Sequence, residues 1–254
     1  MTTWVFLRGL MREARHWGEF PTQFLAEIPS QNIVTLDFPG NGSLHASTSS
    51  TSVAEMVEHC RQRLQQSSIA PPYRVLALSL GAMVATAWAE RYPIELERLA
   101  LINTSLAPHN RFYQRLRPEN YATLLRFLVQ GSVAEREALI LRITSSMAAT
   151  DHDRANSILA HWRSYAQEYP ITRKNIVRQL FAAMRYRAPD KVPAVPMLLL
   201  AGRQDKLVNP ICSATLAKRW GCAIEMHPDA GHDLPLDDGA WVAKKISEWL
   251  LKIL

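Results

Sequence analysis

Tyr73-Arg74-Val75-Leu76-Ala77-Leu78-Ser79-Leu80-Gly81-Ala82 is the stretch on which the fold turns. Its first six residues, Tyr73–Leu78, are an apolar run of strand length, and residues 82–92 are a string of good helix formers closed by Pro93. No loop separates the two, so the chain must reverse within Ser79-Leu80-Gly81. The small side chains of Ala77, Gly81 and Ala82 leave room for such a turn. A buried strand that leads directly into a helix is half of a βαβ unit, and it predicts a parallel sheet where the pattern recurs.

The pattern recurs on both sides. Upstream, Thr3–Leu7 ends on Arg8-Gly9, and Asn32–Leu36 precedes the turn-rich Asp37-Phe38-Pro39-Gly40-Asn41-Gly42, with helical patterns at 21–27 and 53–64 between the strands. Downstream, residues 99–103, 195–201 and Ala223–His227 read as strands, and 210–220 and 239–251 as helices; the last has Trp241, Ile246, Trp249 and Leu250 on its inward side. Residues 108–189 interrupt the alternation with helical patterns alone. Ser132-Val133-Ala134-Glu135 has the spacing of a capping box, and Ile176, Val177, Leu180, Phe181 and Met184 recur at helical spacing. The expected fold is therefore α/β: a mostly parallel, doubly wound sheet from residues 1–107 and 190–254, with an all-helical cap over 108–189. With 254 residues, 48% of them apolar, one domain can bury a full core.

Several classes are excluded by composition. Cys60, Cys212 and Cys222 are odd in number, lack C-x-x-C spacing and have no His cluster beside them, which argues against a disulfide scaffold or a zinc site. Neither a metal nor another cofactor is expected. Arg8, Arg12, Glu13 and Arg15 break up the first twenty residues, so no secretory signal is read there, and no window is apolar enough for a membrane span. The expected location is the cytoplasm.

A serine hydroxyl becomes a nucleophile when a turn lifts it from the fold and a base lies within hydrogen-bond reach. Ser79 has the turn, in an A-x-S-x-G variant of the G-x-S-x-G elbow. His232, in the loop Asp229-Ala230-Gly231-His232-Asp233 after the last strand, is the candidate base; His227 is its nearest rival but lies at the strand end itself. His16, His45, His59, His109, His152 and His161 carry no partner signal. The acid that orients the base should follow a neighbouring strand, and Asp205, in Ala201-Gly202-Arg203-Gln204-Asp205, fits best. Asp233 is adjacent to His232 and should point elsewhere, while Asp37 should fix its Pro-Gly turn. Two backbone N–H groups must face the developing oxyanion, and Leu80, after the nucleophile, and Leu10, after Gly9, are the candidates.

With these pieces together the chain resembles the α/β-hydrolase superfamily over nearly its whole length, through the Ser79 elbow, Asp37-Phe38-Pro39-Gly40-Asn41-Gly42, Gly202-x-x-Asp205 and Gly231-His232. The resemblance implies a helical cap after the family's sixth strand and a metal-free, two-step acyl-enzyme mechanism. There are two departures: Arg8-Gly9 stands where most relatives have His-Gly, and the family's first two strands are expected to be missing, which opens one sheet edge.

Ser79, where dehalogenases and epoxide hydrolases of this fold use aspartate, points to acyl substrates. A carboxylesterase is the leading expectation, with Leu124, Leu125, Phe127, Leu128 and Val129 of the cap lining an apolar acyl pocket and Leu124 and Leu128 as substrate contacts. The net charge of +6 is concentrated: residues 109–191 hold 14 Lys/Arg against 7 Asp/Glu. Arg178 and Arg185 are thus candidates to dock an acidic acyl carrier or the phosphates of a coenzyme A thioester, and the basic cap is similar to that of esterases acting on pimeloyl-carrier methyl esters. Nucleic acid is not an expected partner, because interleaved aromatic and glycine motifs are lacking. A noncatalytic binding protein on the same fold is the remaining alternative.

Overall fold

A computed structural model describes residues 2–252, apart from the side chains of residues 127–129. Six strands, β1 (Thr3–Leu7), β2 (Asn32–Leu36), β3 (Tyr73–Leu78), β4 (Leu96–Ile102), β5 (Met197–Gly202) and β6 (Ala223–His227), form one sheet in the order β2-β1-β3-β4-β5-β6. Every neighbouring pair is parallel. β1 and β5 are buried along their whole length, whereas the edge strands β2 and β6 are each partly open to solvent. β2 lies at one edge of the sheet and β6 at the other.

Period-two alternation divides the strands between two cores. Val5, Leu7, Val75, Ala77, Leu99, Leu101 and Leu199 face α2 (Val53–Gln66), α3 (Leu80–Arg91) and α9 (Ile211–Trp220). Trp4, Phe6, Leu76, Leu78, Ala100, Ile102, Leu198 and Leu200 face α1 (Phe20–Glu27) and α10 (Leu234–Leu251). This is the doubly wound arrangement: strands covered on both faces read as continuous apolar runs.

Element bounds differ from expectation where backbone chemistry intervenes. β4 starts at Leu96 rather than 99, because it keeps pairing with β3 across a register shift at Tyr73/Arg74. β5 starts at Met197 rather than 195, since Pro196 has no N–H for the ladder, although its carbonyl accepts from Leu99 N at 3.0 Å. α10 starts at Leu234 with Pro235 in its first turn and breaks at Asp238 (φ −150°, ψ 77°); the expected helix at 239–251 is its second part.

Between β4 and β5 the cap is helical: α4 (Phe112–Arg115), α5 (Tyr121–Val129), α6 (Val133–Thr144), α7 (His152–Glu168) and α8 (Arg173–Arg185). The capping box at α6 is formed, with Glu135 N donating to Ser132 Oγ at 3.2 Å and Ser132 N to the Glu135 carboxylate at 2.8 Å. Thr172 and Asp151 cap α8 and α7 by a single bond each, their side-chain oxygens accepting from Asn175 N and Arg154 N. An isolated bridge, Ala107 to Arg187, and a contact of His109 Nε2 with Pro189 O at 3.3 Å join the two ends of the insertion. Among the described residues no helix is long and apolar enough to cross a membrane, and no group of three or more His, Cys, Asp or Glu is placed to hold a metal.

Candidate active site

At the C-terminal end of β3, Ser79 takes φ 56° and ψ −113°, a left-handed backbone costly for a residue with a side chain. Its N–H still bonds Ile102 O at 3.0 Å, so the strand holds the residue up to the point where α3 begins. Gly81 is required by approach: a Cβ there would lie 2.5 Å from Leu7 O. Ala77 stands where the elbow more often has glycine, and as a buried strand residue it packs its methyl into the core beneath α3.

Asp205 and His232 meet across 27 residues. His232 Nδ1 lies 2.6 Å from Asp205 Oδ2, and both side chains are buried. Oδ1 of Asp205 accepts from the N–H groups of Leu207 and Val208, both at 2.8 Å, which fixes the carboxylate before it meets the imidazole. Gly202, the first residue of Gly202-x-x-Asp205, lets the end of β5 touch the histidine loop, since a Cβ there would fall 2.2 Å from Ala230 O. With Nδ1 committed, Nε2 of His232 has no protein partner among the described residues, and neither has the Ser79 hydroxyl. Both residues line one cavity of about 500 Å³ between the sheet and the cap. The rival His227 organises the approach to His232: its Nδ1 accepts from Asp229 N at 3.1 Å and Ala230 N at 2.9 Å. The cysteines are no rival nucleophiles, because burial pushes the thiols of Cys60 and Cys212 up to about 12.

Leu80 is the first residue of α3, so its N–H has no carbonyl one turn back; Leu10 N likewise has no acceptor among the described residues. Both residues line the cavity with Ser79. Beyond Leu10 the chain turns through Met11 (φ 64°), whose N–H donates to Oε1 of the fully buried Gln179 at 3.0 Å. Gln179 Nε2 in turn reaches Asn41 Oδ1 at 2.7 Å and Ser49 Oγ at 3.1 Å, which ties α8 to the loop after β1 and the turn after β2. In that turn Asp37 accepts from Ser43 N and Ser43 Oγ as expected, and also from Ala14 N.

Three further fastenings were invisible as sequence. Asn103, after β4, donates to Gly231 O at 3.0 Å and His232 O at 2.7 Å and accepts from Gly202 N at 2.9 Å, so one buried amide clamps the start of the Asp205 loop to the His232 loop. Asp237 gathers Gly231 N, Ser146 N and Ser145 Oγ, joining the histidine loop to the cap. Arg8, the departure from His-Gly, pairs both amines with Asp233 at 3.1 and 2.5 Å, with its guanidinium 4.7 Å from the centre of the Trp17 ring. The Asp233 carboxylate is thus taken up by Arg8 while His232 Nδ1 meets Asp205, and the Arg8–Asp233 pair pins the loop after β1 to the histidine loop. Asp233→Ala would leave the Arg8 cation buried and unmatched, and is expected to cost about 3–5 kcal/mol of unfolding free energy in urea. The apolar double variant R8M/D233L should recover most of it; a single variant as stable as the wild type would show that the pair does not hold the loops.

His16 is set against these arginines. Its Nε2 lies 2.8 Å from Arg12 Nη1, and its ring packs against Trp162 and Tyr165. Burial first, then the Arg12 and Arg8 guanidiniums, push it well below its ordinary value of 6.5. The unfolded chain therefore binds the proton more readily, and the stability owed to neutral His16 is present above about pH 6.5 and is lost as pH falls below it. Buried Glu13 and half-buried Asp37, both raised by desolvation, act in the opposite sense at lower pH. His16→Gln isolates the histidine: between pH 7.5 and 5.5 the wild type should lose about 1 kcal/mol more than the variant in urea titrations. Parallel curves for the two would contradict a neutral buried His16.

Of the cap candidates, Leu124 lines the cavity with Tyr121, Leu139, Ile140, Ile176 and Leu180. The side chain of Leu128 lies outside the described residues. Neither Arg178 nor Arg185 reaches the cavity: Arg178 donates through Nε to Ser49 O at 2.5 Å, and Arg185 is exposed with its guanidinium 5.1 Å from the Phe181 ring centre. On α8 it is Ile176, Leu180 and Ala183 that line the cavity, whereas Val177, Phe181 and Met184 of the expected apolar stripe are exposed to solvent.

A parallel sheet, a sharp serine turn at the end of its third strand and a helical insertion after its fourth strand are the features of the α/β-hydrolase fold. The chain matches the model of the alpha/beta hydrolase family over residues 4–245 and belongs to that family. Human monoacylglycerol lipase ABHD6 is 24% identical over 237 residues, which cover 87% of this chain and 68% of that protein. Among solved structures, an esterase from Thermogutta terrifontis, malate bound, is similar with a TM-score of 0.78 at 16% identity, over 100% of this chain and 90% of the other. The enol-lactonase from Burkholderia xenovorans LB400 has a TM-score of 0.79 at 18% identity, over 98% and 91%.

Proposed function

We propose that the chain is a serine hydrolase that cleaves carboxylic esters through an acyl-enzyme. The observation that carries this reading is the pairing of His232 with Asp205 on the wall of a cavity that also holds the strained Ser79. His232 Nε2 takes the proton as Ser79 Oγ attacks the ester carbonyl, and returns it to the departing alcohol as the C–O bond breaks. Water then repeats the sequence on the acyl-enzyme and releases the acid. Asp205 holds Nδ1–H and stabilises the imidazolium, and the N–H groups of Leu80 and Leu10 receive the oxyanion. That the relatives named above are a lipase, an esterase and a lactonase supports carboxylic ester or lactone substrates. The test is intact-mass labelling with a fluorophosphonate, followed by p-nitrophenyl esters and acyl thioesters; a folded protein that stays unlabelled would remove the reading.

Carrier-linked acyl groups are the second reading, and exposed Arg185 beside the exposed Phe181 and Met184 favours it. Activity on carrier-linked esters that falls steeply with salt, while small esters are unaffected, would bring that class in. Equal salt dependence would leave it out.

A further inference from the structure

The cavity wall carries more positive charge than its carboxylates neutralise. Arg136 and Glu137 come from α6, and Arg12 from the loop after β1. Buried Glu137 accepts Arg12 Nη1 at 2.6 Å and Arg136 Nε at 3.4 Å, so one carboxylate serves two guanidiniums. The remaining neighbour, His16, is neutral, and Asp233 is matched by Arg8. Arg12 is 6% exposed and lines the cavity, yet its Nη2 is buried without an acceptor among the described residues, with its guanidinium over the Trp162 ring at 4.4 Å. Arg136, half-buried and lining the same cavity as Ser79 and His232, has no acceptor for either terminal amine among the described residues. Arg115, which also lines the cavity, gives Nη2 to Ala183 O at 2.7 Å and pairs with no carboxylate among the described residues. A partly buried cation without a counter-charge is unfavourable, and a bound anion relieves it. The other walls are apolar, including Leu124, Leu139, Ile143 and Leu180.

We infer that Arg136, with Arg12 behind it, forms an anion subsite in this cavity, and that the preferred substrates are esters whose acyl chain ends in a carboxylate. The substrate part of this inference rests on the serine hydrolase reading. A guanidinium offers two parallel N–H donors that match a planar carboxylate, and the apolar walls accept the methylene chain between the two ends. The chemical class is thus the half-ester of a straight-chain dicarboxylic acid.

Two arms test it. In the kinetic arm, mono-p-nitrophenyl adipate and suberate are compared with p-nitrophenyl hexanoate and octanoate. The wild type should favour the carboxylated ester in kcat/KM. Arg136→Gln should lower that ratio by about 10- to 100-fold, chiefly through KM, and Arg136→Lys by less. Taking the ratio within each variant cancels any loss common to both esters. In the binding arm, adipate and suberate should raise the melting temperature of the wild type more than hexanoate and octanoate do, and should fail to do so in R136Q. If fluorophosphonate labels Ser79 but the wild-type ratio is near one, or is unchanged in R136Q, the subsite is wrong while the hydrolase reading stands. If no labelling occurs, the hydrolase reading fails by itself, and the binding arm alone decides the subsite. A variant that does not fold leaves the wild-type preference in both arms to decide.

Discussion

Ser79→Ala is expected to give a folded protein that takes up no fluorophosphonate and whose ester turnover falls on the order of 10⁶-fold. The fall is large because the elbow has no substitute for the hydroxyl. Ser79 is the only hydroxyl-bearing residue of the turn between Leu78 and Ala82, and burial disarms Cys60 and Cys212. What remains would come from Leu10, Leu80 and binding alone, a residue of about 10³–10⁴ over the uncatalysed rate. Stability should not fall, because alanine adds no bulk and Ser79 Oγ has no protein partner among the described residues. Labelling that persists in the folded variant would place the nucleophile elsewhere. A wild type that is never labelled would move the chain to the noncatalytic binding class.

Asp205→Asn should lower kcat by about 10⁴-fold with little change in fold. An asparagine can keep Oδ1 on the N–H groups of Leu207 and Val208, so the loop survives. Its amide then faces His232 Nδ1 with a donor instead of an acceptor, which forces the imidazole into the tautomer whose Nε2 already carries hydrogen and cannot accept the serine proton. The rate of fluorophosphonate labelling should fall with kcat, since both need the same base. A variant within threefold of the wild type on both readouts would mean that the Asp205–His232 contact only braces the loops.

The sheet and the candidate site were legible for different reasons. The bounds of β1, β2, β3 and β6 are legible because each run ends on turn or loop residues; the buried β1 and β3 are mostly apolar, whereas the edge strands β2 and β6 keep polar residues such as Asn32, Thr35 and Glu225. Ser79, Asp205 and His232 were legible because each follows a strand, in a chain order that survives low identity. The cap was legible as helices but not as walls. Leu124 and Arg178 lie on helices with similar patterns, and only packing decides that one meets the cavity and the other Ser49 O.

The sequence by itself determined the α/β order of elements, the turn at Ser79 and the loops that carry Asp205 and His232, since these depend on local periodicity and turn chemistry. Only the tertiary structure decided that Asn103 clamps the Asp205 and His232 loops, that Arg8 finds Asp233, and that Glu137 is shared by Arg12 and Arg136. Those contacts join residues as many as 225 positions apart. A polar side chain in a loop carries no periodicity to reveal its partner, so its role is set by whichever backbone or charge the fold brings within about 3 Å of it.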